Sequence, residues 1–366
     1  MGRPHAETLI QPTHGQGRTS TPDGPCFAQF CADGQENRGR SNANPRSCRH
    51  RARANRGISG RAVSRRSVRS SEPAKRWWSG VWLSVCDNHR VPSANDDLEA
   101  VARVLGGPVT FVARLTGGQH AVTTVVSDGH DEYVVRRFPP GDDAVSREVR
   151  VLPKVAALGA IVPRLIAFDL AVSGPVIVTS RVAGTSPDPG LVPTALSLSL
   201  ARVLARIHQL DGTGLPSGPA ALPTGESLLA VRARQDWPLL ERAPRVLTHS
   251  DFWSGNALWN GDLVTGVVDW CGARNAPRGL DVAWCRLDLV LLGSHAAADA
   301  FLAEYEAASG TPMRARAAWD RYAAARADPI VESWAVNYDG IGRSQITSEV
   351  LRRRFDLWAD HRLTEE

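Results

Sequence analysis

Two short segments place carboxylate and amide side chains where they could do chemistry. The first, HSDFWSGN at 249–256, follows the apolar run PRVL and holds Asp251 and, five residues later, Asn256. The second, GVVDW at 266–270, places Asp269 directly after an apolar run. One carboxylate in a polar loop can accept the proton of a hydroxyl group. An amide oxygen and a second carboxylate can bind Mg²⁺, because hard cations take oxygen ligands.

This set of side chains meets the requirements of phosphoryl transfer. That reaction needs little covalent help from the protein, only in-line positioning, neutralisation of charge and an acceptor for the hydroxyl proton. An ordinary aspartate has a pKa of about 3.9, so it is ionised and ready to accept a proton at neutral pH. The sequence contains neither GxxxxGK[ST] nor GxSxG, which argues against a P-loop enzyme and against an α/β-hydrolase.

The segments upstream predict the elements that must position these residues. Runs rich in strand formers at 109–115, 121–126 and 132–138 predict an antiparallel meander, and two more strands follow within 162–168 and 174–182. After Gly184 the spacing becomes helical, with an apolar stripe at Leu196, Leu200, Val203, Leu204 and Ile207. Strands first and helices second indicate an α+β chain with two lobes and a cleft, not alternating βαβ units.

Composition limits the class of protein. The hydrophobic fraction of 43% and the charged fraction of 22% are typical of a soluble globular protein. No stretch of 18 or more apolar residues exists, so no membrane span is predicted. The six cysteines form no CxxC pair, and we therefore expect reduced thiols and a cytoplasmic protein.

The first 80 residues differ sharply from the rest. They contain fourteen Arg and one Lys against five acidic residues, a net charge of +10, whereas the whole chain carries +5. Residues 1 to about 76 lack apolar periodicity, so we expect a disordered tail. Nucleic-acid binding through the arginines is the alternative, but interleaved aromatic residues and a helix-turn-helix pattern are missing. A start codon assigned too far upstream, with a true start at a valine such as Val81 or Val91, is a third hypothesis.

The pattern H-x-D-x-x-x-x-N, followed by a strand and a further Asp, resembles the catalytic and metal-binding loops of the aminoglycoside phosphotransferase family, relatives of protein kinases. The resemblance implies that Asp251 is the catalytic base and that Asn256 and Asp269 bind Mg²⁺. It also implies that His249 organises the loop, and that Asp281 in RGLDVAW braces it.

Upstream motifs appear in the order that the same family uses. TGGQH, with Gly117 and Gly118, resembles the loop that covers the nucleotide phosphates. Arg136 stands where the family has a basic residue that contacts the nucleotide, and Glu148 matches its partner on the following helix. Strand alternation allows only one of Arg136 and Arg137 to face the cleft, and the sequence leaves that choice open.

A third matching segment, TSRVAG at 179–184, resembles the hinge between the lobes, where the backbone usually meets adenine. Thr179 and Arg181 are the candidate residues there. The sequence departs from the family pattern at Ser250, where glycine is commonest, at Arg136, where protein kinases have lysine, and in the covering loop, which lacks a full GxGxxG.

The resemblance implies a protein-kinase-like fold, with a nucleotide-binding lobe at 91–181 and a mainly helical catalytic and acceptor-binding lobe at 182–366, and composition assigns the basic tail to 1–90. It implies ATP and Mg²⁺ as cofactors and transfer of phosphate to the hydroxyl group of a small molecule. An aminoglycoside, or a metabolite such as a choline-like amine, homoserine or a sugar, remains open as the acceptor. A nucleotide-binding protein without catalysis is the alternative from another class, and the sequence leaves the oligomeric state open.

Overall fold

The computed structural model describes residues 94–115, 121–170, 174–219 and 221–365. Helix α1 (Ala94–Leu105) precedes five strands, and helix α2 (Ala144–Val155) lies between the third and fourth of them. The strands are β1 (Thr110–Leu115), β2 (Val122–Ser127), β3 (Glu132–Arg137), β4 (Leu165–Asp169) and β5 (Val176–Ser180). They form one antiparallel sheet in the order β1-β2-β3-β5-β4. The predicted meander and the two additional strands are therefore present.

The sheet has two apolar faces, because successive side chains of a strand point to opposite sides. Val135 and Val178 pack with Val101 of α1 on one face. Ile177 belongs instead to the main core, which includes the buried residues of α2. In β3, the same alternation turns Arg136 away from the α1 face.

Helix α2 carries one carboxylate among its core-facing residues. Its buried side chains recur at helical spacing, and Glu148 takes one of the places that an apolar residue would fill. The complete buried set is Ala144, Val145, Glu148, Val151, Leu152 and Val155. A buried carboxylate needs a partner, since desolvation of an unpaired charge is expensive. The helix then passes through a short 3₁₀ segment, Ala156–Ile161, to β4.

The second lobe is mainly helical and contains two small antiparallel strand pairs. Strand β6 (Arg245–Thr248) pairs with β9 (Arg274–Pro277), and β7 (Ala257–Asn260) forms a hairpin with β8 (Leu263–Val267). The helices are α3 (Pro193–Ile207), α4 (Leu228–Leu240), α5 (Gly279–Leu291), α6 (His295–Ser309), α7 (Arg316–Ala327), α8 (Ala335–Gly340) and α9 (Ser348–Thr364). The HSDFWSGN loop lies between β6 and β7, and Asp269 follows β8.

Helix α5 lies at the centre of this lobe. All but one of its residues are buried, and it packs against α6, α7 and α9. A Cβ atom at Gly279 would overlap the Trp319 indole, so glycine permits the close approach of α5 to α7. A second tie between these helices is the buried ion pair of Arg286 Nε with Asp320 Oδ1, 3.1 Å apart. These contacts hold the start of α5 in place, and Asp281 in this part of the helix binds the HSDFWSGN loop.

The connection between the lobes is attached to the β7–β8 hairpin. Thr185 and Trp259 exchange backbone hydrogen bonds of 3.0 Å and 2.7 Å. Gly184 has φ +124°, and a side chain there would overlap the Thr265 hydroxyl. The architecture confirms the predicted α+β fold with a small antiparallel sheet and a helical lobe. Within the described ranges, no helix is long and apolar enough to cross a membrane.

Candidate active site

The HSDFWSGN loop (residues 249–256) is held at its beginning by a carboxylate of α5. Asp281 Oδ2 accepts the backbone N–H of His249 at 2.7 Å, and its Oδ1 accepts that of Ser250 at 2.6 Å. Asp281 is completely buried, and His208 Nε2 lies 3.0 Å from its Oδ2. His208 follows the last residue of α3, and its other ring nitrogen lies 2.7 Å from the Tyr305 hydroxyl.

His249 connects the loop to the end of β8. Its Nε2 lies 3.0 Å from the carbonyl oxygen of Val268, and its ring packs 4.7 Å from that of Trp270. Both aromatic residues are fully buried. The side chain therefore ties the segment before Asp251 to the segment around Asp269.

Ser250 stands where the resembling family commonly has glycine, and its backbone conformation explains that preference for glycine. Its φ is 69°, in the left-handed region that favours glycine because L side chains are crowded there. Two hydrogen bonds hold it in that conformation, one from its N–H to Asp281 and one of 3.1 Å between its hydroxyl and that of Thr248. The turn places the next residue, Asp251, at the tip of the loop.

Both oxygens of the Asp251 carboxylate accept a hydrogen bond. The indole N–H of Trp284, on α5, donates to Oδ1 at 3.0 Å, and Asn256 Nδ2 donates to Oδ2 at 3.0 Å. Burial raises the pKa of Asp251, the negative charge of Asp269 raises it further, and the two hydrogen bonds oppose them. The net result is a carboxyl with a pKa above its ordinary value and therefore a stronger proton acceptor.

Arg136 bridges two carboxylates from different lobes. Its Nη1 lies 2.7 Å from Glu148 Oε2 on α2, and its Nη2 lies 2.9 Å from Asp269 Oδ1. The guanidinium also lies 5.0 Å from the Phe138 ring centre. We call Arg136, Glu148 and Asp269 the Arg136 cluster. Arg137, by contrast, contacts the Gly174 carbonyl, so the structure brings Arg136 and not Arg137 to the predicted partners.

Charge within the Arg136 cluster is distributed unevenly. Burial opposes ionisation of Asp269, but the Arg136 guanidinium holds its pKa below the ordinary value. Glu148 is more deeply buried, and that desolvation raises its pKa despite the same guanidinium. Asp269 is thus the partner most firmly kept as an anion. Its φ of 64° is left-handed, and its side chain stays 37% exposed, so a cation could approach it.

The donors near Asp269 suit a magnesium ion held together with a phosphate-bearing substrate. Asn256 turns its amide nitrogen to Asp251, which leaves the amide oxygen on the other arm of the side chain. Among the described residues, no group of three or more His, Cys, Asp or Glu side chains could hold a metal by itself. One carboxylate and one amide oxygen, completed by substrate oxygens and water, is the kind of site that Mg²⁺ commonly occupies.

One face of α5 contacts the loop at three successive points, which sequence reasoning identified only in part. Asp281 binds residues 249 and 250, Trp284 binds Asp251, and Asp288 Oδ2 accepts the N–H of Ser254 at 3.0 Å. Positions 281, 284 and 288 are three and then four residues apart, so they share a face of the helix. The segment GLDVAWCRLDLVL is otherwise mainly apolar, so hydrogen-bonding residues at this spacing could have identified Trp284 and Asp288 as further contacts of the loop.

The two candidate residues of the segment 179–184 contact other partners. Thr179 is buried in β5, where it pairs with Val134 of β3. Arg181 is exposed, its guanidinium is paired with Glu132, and its N–H donates to the Glu132 carbonyl at 3.2 Å. Gly117 and Gly118 fall outside the described residues.

Comparison with known proteins identifies the family. Residues 112–324 match the phosphotransferase enzyme family. No curated protein matches the sequence. Among solved structures, an aminoglycoside-3'-phosphotransferase of type VIII is similar at 19% identity, with 63% of this chain and 98% of that chain covered and a TM-score of 0.50.

A second solved structure, that of aminoglycoside phosphotransferase APH(4)-Ia, is similar at 16% identity, with 75% of this chain and 100% of that chain covered and a TM-score of 0.50. At these identities the likenesses concern the fold, which is the two-lobed kinase-like fold predicted from the sequence. The family match spans more than half of the chain, so the chain belongs to the phosphotransferase enzyme family.

Proposed function

We propose that this chain transfers the γ-phosphoryl group of ATP to a hydroxyl group of a small molecule. The observation that carries the proposal is the Arg136 cluster, in which one guanidinium connects Glu148 of the sheet lobe with Asp269 of the helical lobe beside Asp251. Phosphoryl transfer requires positive charge for the phosphates, a metal ligand and a proton acceptor. These three requirements fall on Arg136, Asp269 and Asp251.

Asp251 is the proposed catalytic base. In the proposed reaction, its carboxylate takes the proton of the acceptor hydroxyl while that oxygen forms a bond to the γ-phosphorus and the bond to the ADP oxygen breaks. Its raised pKa suits this role, because proton transfer is most efficient when the base is not too weak and is still ionised at the working pH. Asn256 and Trp284 orient the carboxylate.

Asn256 and Asp269 are the proposed ligands for Mg²⁺. Bound there, the ion would neutralise phosphate charge. The depressed pKa of Asp269 keeps it anionic over a wide pH range, as a cation ligand requires. When a nucleotide enters, Arg136 can turn toward its phosphates, since a guanidinium grips phosphate oxygens in bidentate fashion.

The adenine end of ATP is assigned to the segment 179–184 between the lobes, and the phosphate-covering loop to Gly117 and Gly118. The N–H of Arg181 already donates to Glu132, so an adenine bound at this segment would use its other backbone groups. We place the reaction in the cytoplasm, where ATP is available.

The acceptor is left open between an aminoglycoside and a metabolite alcohol. The two solved structures compared above are of aminoglycoside phosphotransferases. Acidic residues of the C-terminal helices could favour a cationic acceptor, yet most are already engaged. Glu304 pairs with Arg202 at 2.6 Å, Glu332 with Arg352 at 2.6 Å, and Glu306 accepts the Met313 N–H at 2.6 Å. Charge therefore gives little reason to favour an aminoglycoside.

The test combines binding with turnover. Thermal unfolding would be followed with ATP, with Mg²⁺ and with both, and ADP release would then be measured with aminoglycosides, amines, amino alcohols and sugars. We expect a joint shift larger than the two separate shifts, and one acceptor class that raises ADP release. Absence of any shift, together with equal ADP release by wild-type protein and Asp251→Asn, would overturn the proposal.

A further inference from the structure

The contact between Trp284 and Asp251 crosses from a buried helix to the tip of the HSDFWSGN loop. The indole Nε1–H of Trp284 donates to Asp251 Oδ1, 3.0 Å away. Asn256 contacts the other carboxylate oxygen, Oδ2. Indole N–H is a donor only, so the direction of this hydrogen bond is certain. A carboxylate offers about four lone-pair positions, and the two donors leave one on each oxygen.

The Trp284 ring is itself held from two sides. The Arg326 guanidinium of α7 lies 4.6 Å from the ring centre, at cation–π distance. The ring of Trp334 meets it nearly edge-on, with centroids 5.2 Å apart and an interplanar angle of 71°. A cation over the face draws electron density from the indole and strengthens its N–H as a donor. The donor is thus both fixed in place and polarised toward Asp251.

The backbone of the loop does not depend on Trp284. Asp281 holds its first two N–H groups and Asp288 holds that of Ser254. Loss of the indole N–H would therefore leave the loop in place and free only the carboxylate. Among the described residues, Asn256 would then be its one remaining side-chain hydrogen-bond donor, and the carboxylate could rotate about its Cβ–Cγ bond.

From this geometry, and resting on the proposed function, we propose that Trp284 is a positioning residue for Asp251. Its N–H fixes the plane of the carboxylate so that a free lone pair faces the acceptor hydroxyl. The hydroxyl must lie in line with the γ-phosphorus at the same moment, and small displacements of a catalytic group lower the rate strongly. Arg326 acts one step further away, since its guanidinium lies over the face of the indole.

The first test detects the hydrogen bond without any ligand. In protein labelled with ¹⁵N-tryptophan, the indole N–H resonance of Trp284 is assigned by its loss in Trp284→Phe. We expect this resonance to move upfield in Asp251→Asn, because a neutral amide is a weaker acceptor than a carboxylate. Asp262→Asn, at an exposed turn, is the matched control and should leave it unchanged. An unchanged resonance in Asp251→Asn would overturn the proposal.

The second test separates positioning from packing. ADP release with MgATP and water as the acceptor would be compared for wild type, Trp284→Phe and Trp334→Phe. We expect Trp284→Phe to lower kcat by about 10- to 100-fold, as supporting hydrogen bonds in active sites do, with the KM for ATP within about twofold. Trp334→Phe keeps the N–H donor of Trp284 and should stay within about threefold of wild type.

The outcomes distinguish the two proposals. If Asp251→Asn lowers ADP release by about 10² to 10⁴ while Trp284→Phe equals Trp334→Phe, the positioning role is overturned and the proposed function stands. If wild type and Asp251→Asn release ADP at the same rate, the proposed function is overturned. In the Asp251→Asn background, Trp284→Phe should have no further effect on kcat, because the two residues act as a unit. An additional loss there would show a merely structural role.

Discussion

The HSDFWSGN loop and the Arg136 cluster hold their carboxylates in opposite ways. Asp251 is held by two neutral donors, an indole and an amide, and no guanidinium contacts it among the described residues. Asp269 is held by a cation, with Arg136 Nη2 at 2.9 Å. The pKa of Asp251 is raised, chiefly by burial and by the charge of Asp269, whereas Arg136 keeps the pKa of Asp269 low.

This difference shows how one site can give two aspartates two roles. Neutral donors orient a carboxylate without stabilising its charge strongly, so it can still take up a proton. A guanidinium stabilises the anion itself, so the carboxylate remains a cation ligand. Environments that push neighbouring pKa values apart are characteristic of acid–base sites. The local environments are therefore those that the proposed roles of Asp251 as base and Asp269 as metal ligand require.

The largest expected effect comes from removing the proposed base. Asp251→Asn keeps the shape of the side chain and should lower kcat by about 10² to 10⁴. Asp262→Asn, at the exposed turn between β7 and β8, is the matched control and should leave kcat unchanged. Steady-state ADP release with the acceptor found in the screen provides the measurement. Equal rates for the two variants would contradict the role of Asp251.

The same variant should not lose stability at neutral pH. A carboxyl whose folded pKa is raised contributes stability while it is protonated, and that contribution is lost as the pH rises through the folded pKa. As the pH rises and Asp251 ionises, its buried charge increasingly opposes folding, and asparagine removes that penalty. A thermal midpoint equal to or above that of wild type would separate loss of chemistry from loss of fold.

The second-largest expected effect concerns the Arg136 cluster. Arg136→Met removes the cationic partner of Glu148, whose side chain is only 2% exposed, so a buried carboxyl loses its counter-charge. Breaking a buried ion pair on one side typically costs about 3–5 kcal/mol. We expect a loss of that size in the free energy of unfolding, measured by urea titration. Arg137→Met is the control on the adjacent position and should cost less.

A double variant shows whether the loss belongs to the ion pair. Glu148→Gln in the Arg136→Met background removes the stranded charge and should recover part of the stability. If instead the two losses simply add, the pair does not contribute as a unit, and the Arg136 cluster would be only a set of independent packing residues.

Much of this arrangement was readable from the sequence, for physical reasons that differ between residues. Asp251, Asn256 and Asp269 lie within a short stretch, so their spacing alone predicts that one loop and one strand end bring them together. Their proximity to each other is therefore a local property. The identity of the arginine that pairs with Glu148 could be decided only from the tertiary structure, because alternation along β3 allows either Arg136 or Arg137 to face α2.

The role of Trp284 shows what the sequence could not supply. Its spacing from Asp281 predicts a shared helix face, but the acceptor of its N–H lies 33 residues earlier, on a loop whose path depends on the packing of α5 against α6, α7 and α9. Similarly, Ser250 could be recognised as a departure from the family pattern. Its left-handed φ, however, follows from the tight turn that Asp281 holds, not from any preference of serine.

The third prediction concerns the pKa values of Asp251 and Asp269 themselves. Carboxyl ¹³C resonances of the protein without ligands, followed during an acid titration, should show that the pKa of Asp251 lies above the ordinary aspartate value and that the pKa of Asp269 lies below it. In Asp269→Asn, the loss of a neighbouring negative charge should lower the pKa of Asp251. Two carboxyls that titrate together near their ordinary value would remove the distinction between proton acceptor and cation ligand.

The smallest expected effect tests how the turn before Asp251 is maintained. Ser250→Gly and Ser250→Ala both remove the hydroxyl that bonds to Thr248, so the difference between the two variants reports on the backbone alone. At φ 69°, alanine is disfavoured by about 1–2 kcal/mol and glycine is not. We therefore expect the glycine variant to be the more stable by about 1 kcal/mol in urea unfolding.

A matched pair inside helix α2 should give the opposite order. At Ser146, glycine should be less stable than alanine by about 1 kcal/mol, because there the backbone is helical and glycine loses more entropy on folding. The reversal of sign between positions 250 and 146 is the decisive result, since a general effect of glycine on the unfolded chain would act in the same direction at both. If alanine is the better residue at both positions, residue 250 does not hold a left-handed conformation in solution, and the turn that presents Asp251 to Trp284 and Asn256 must be formed in another way.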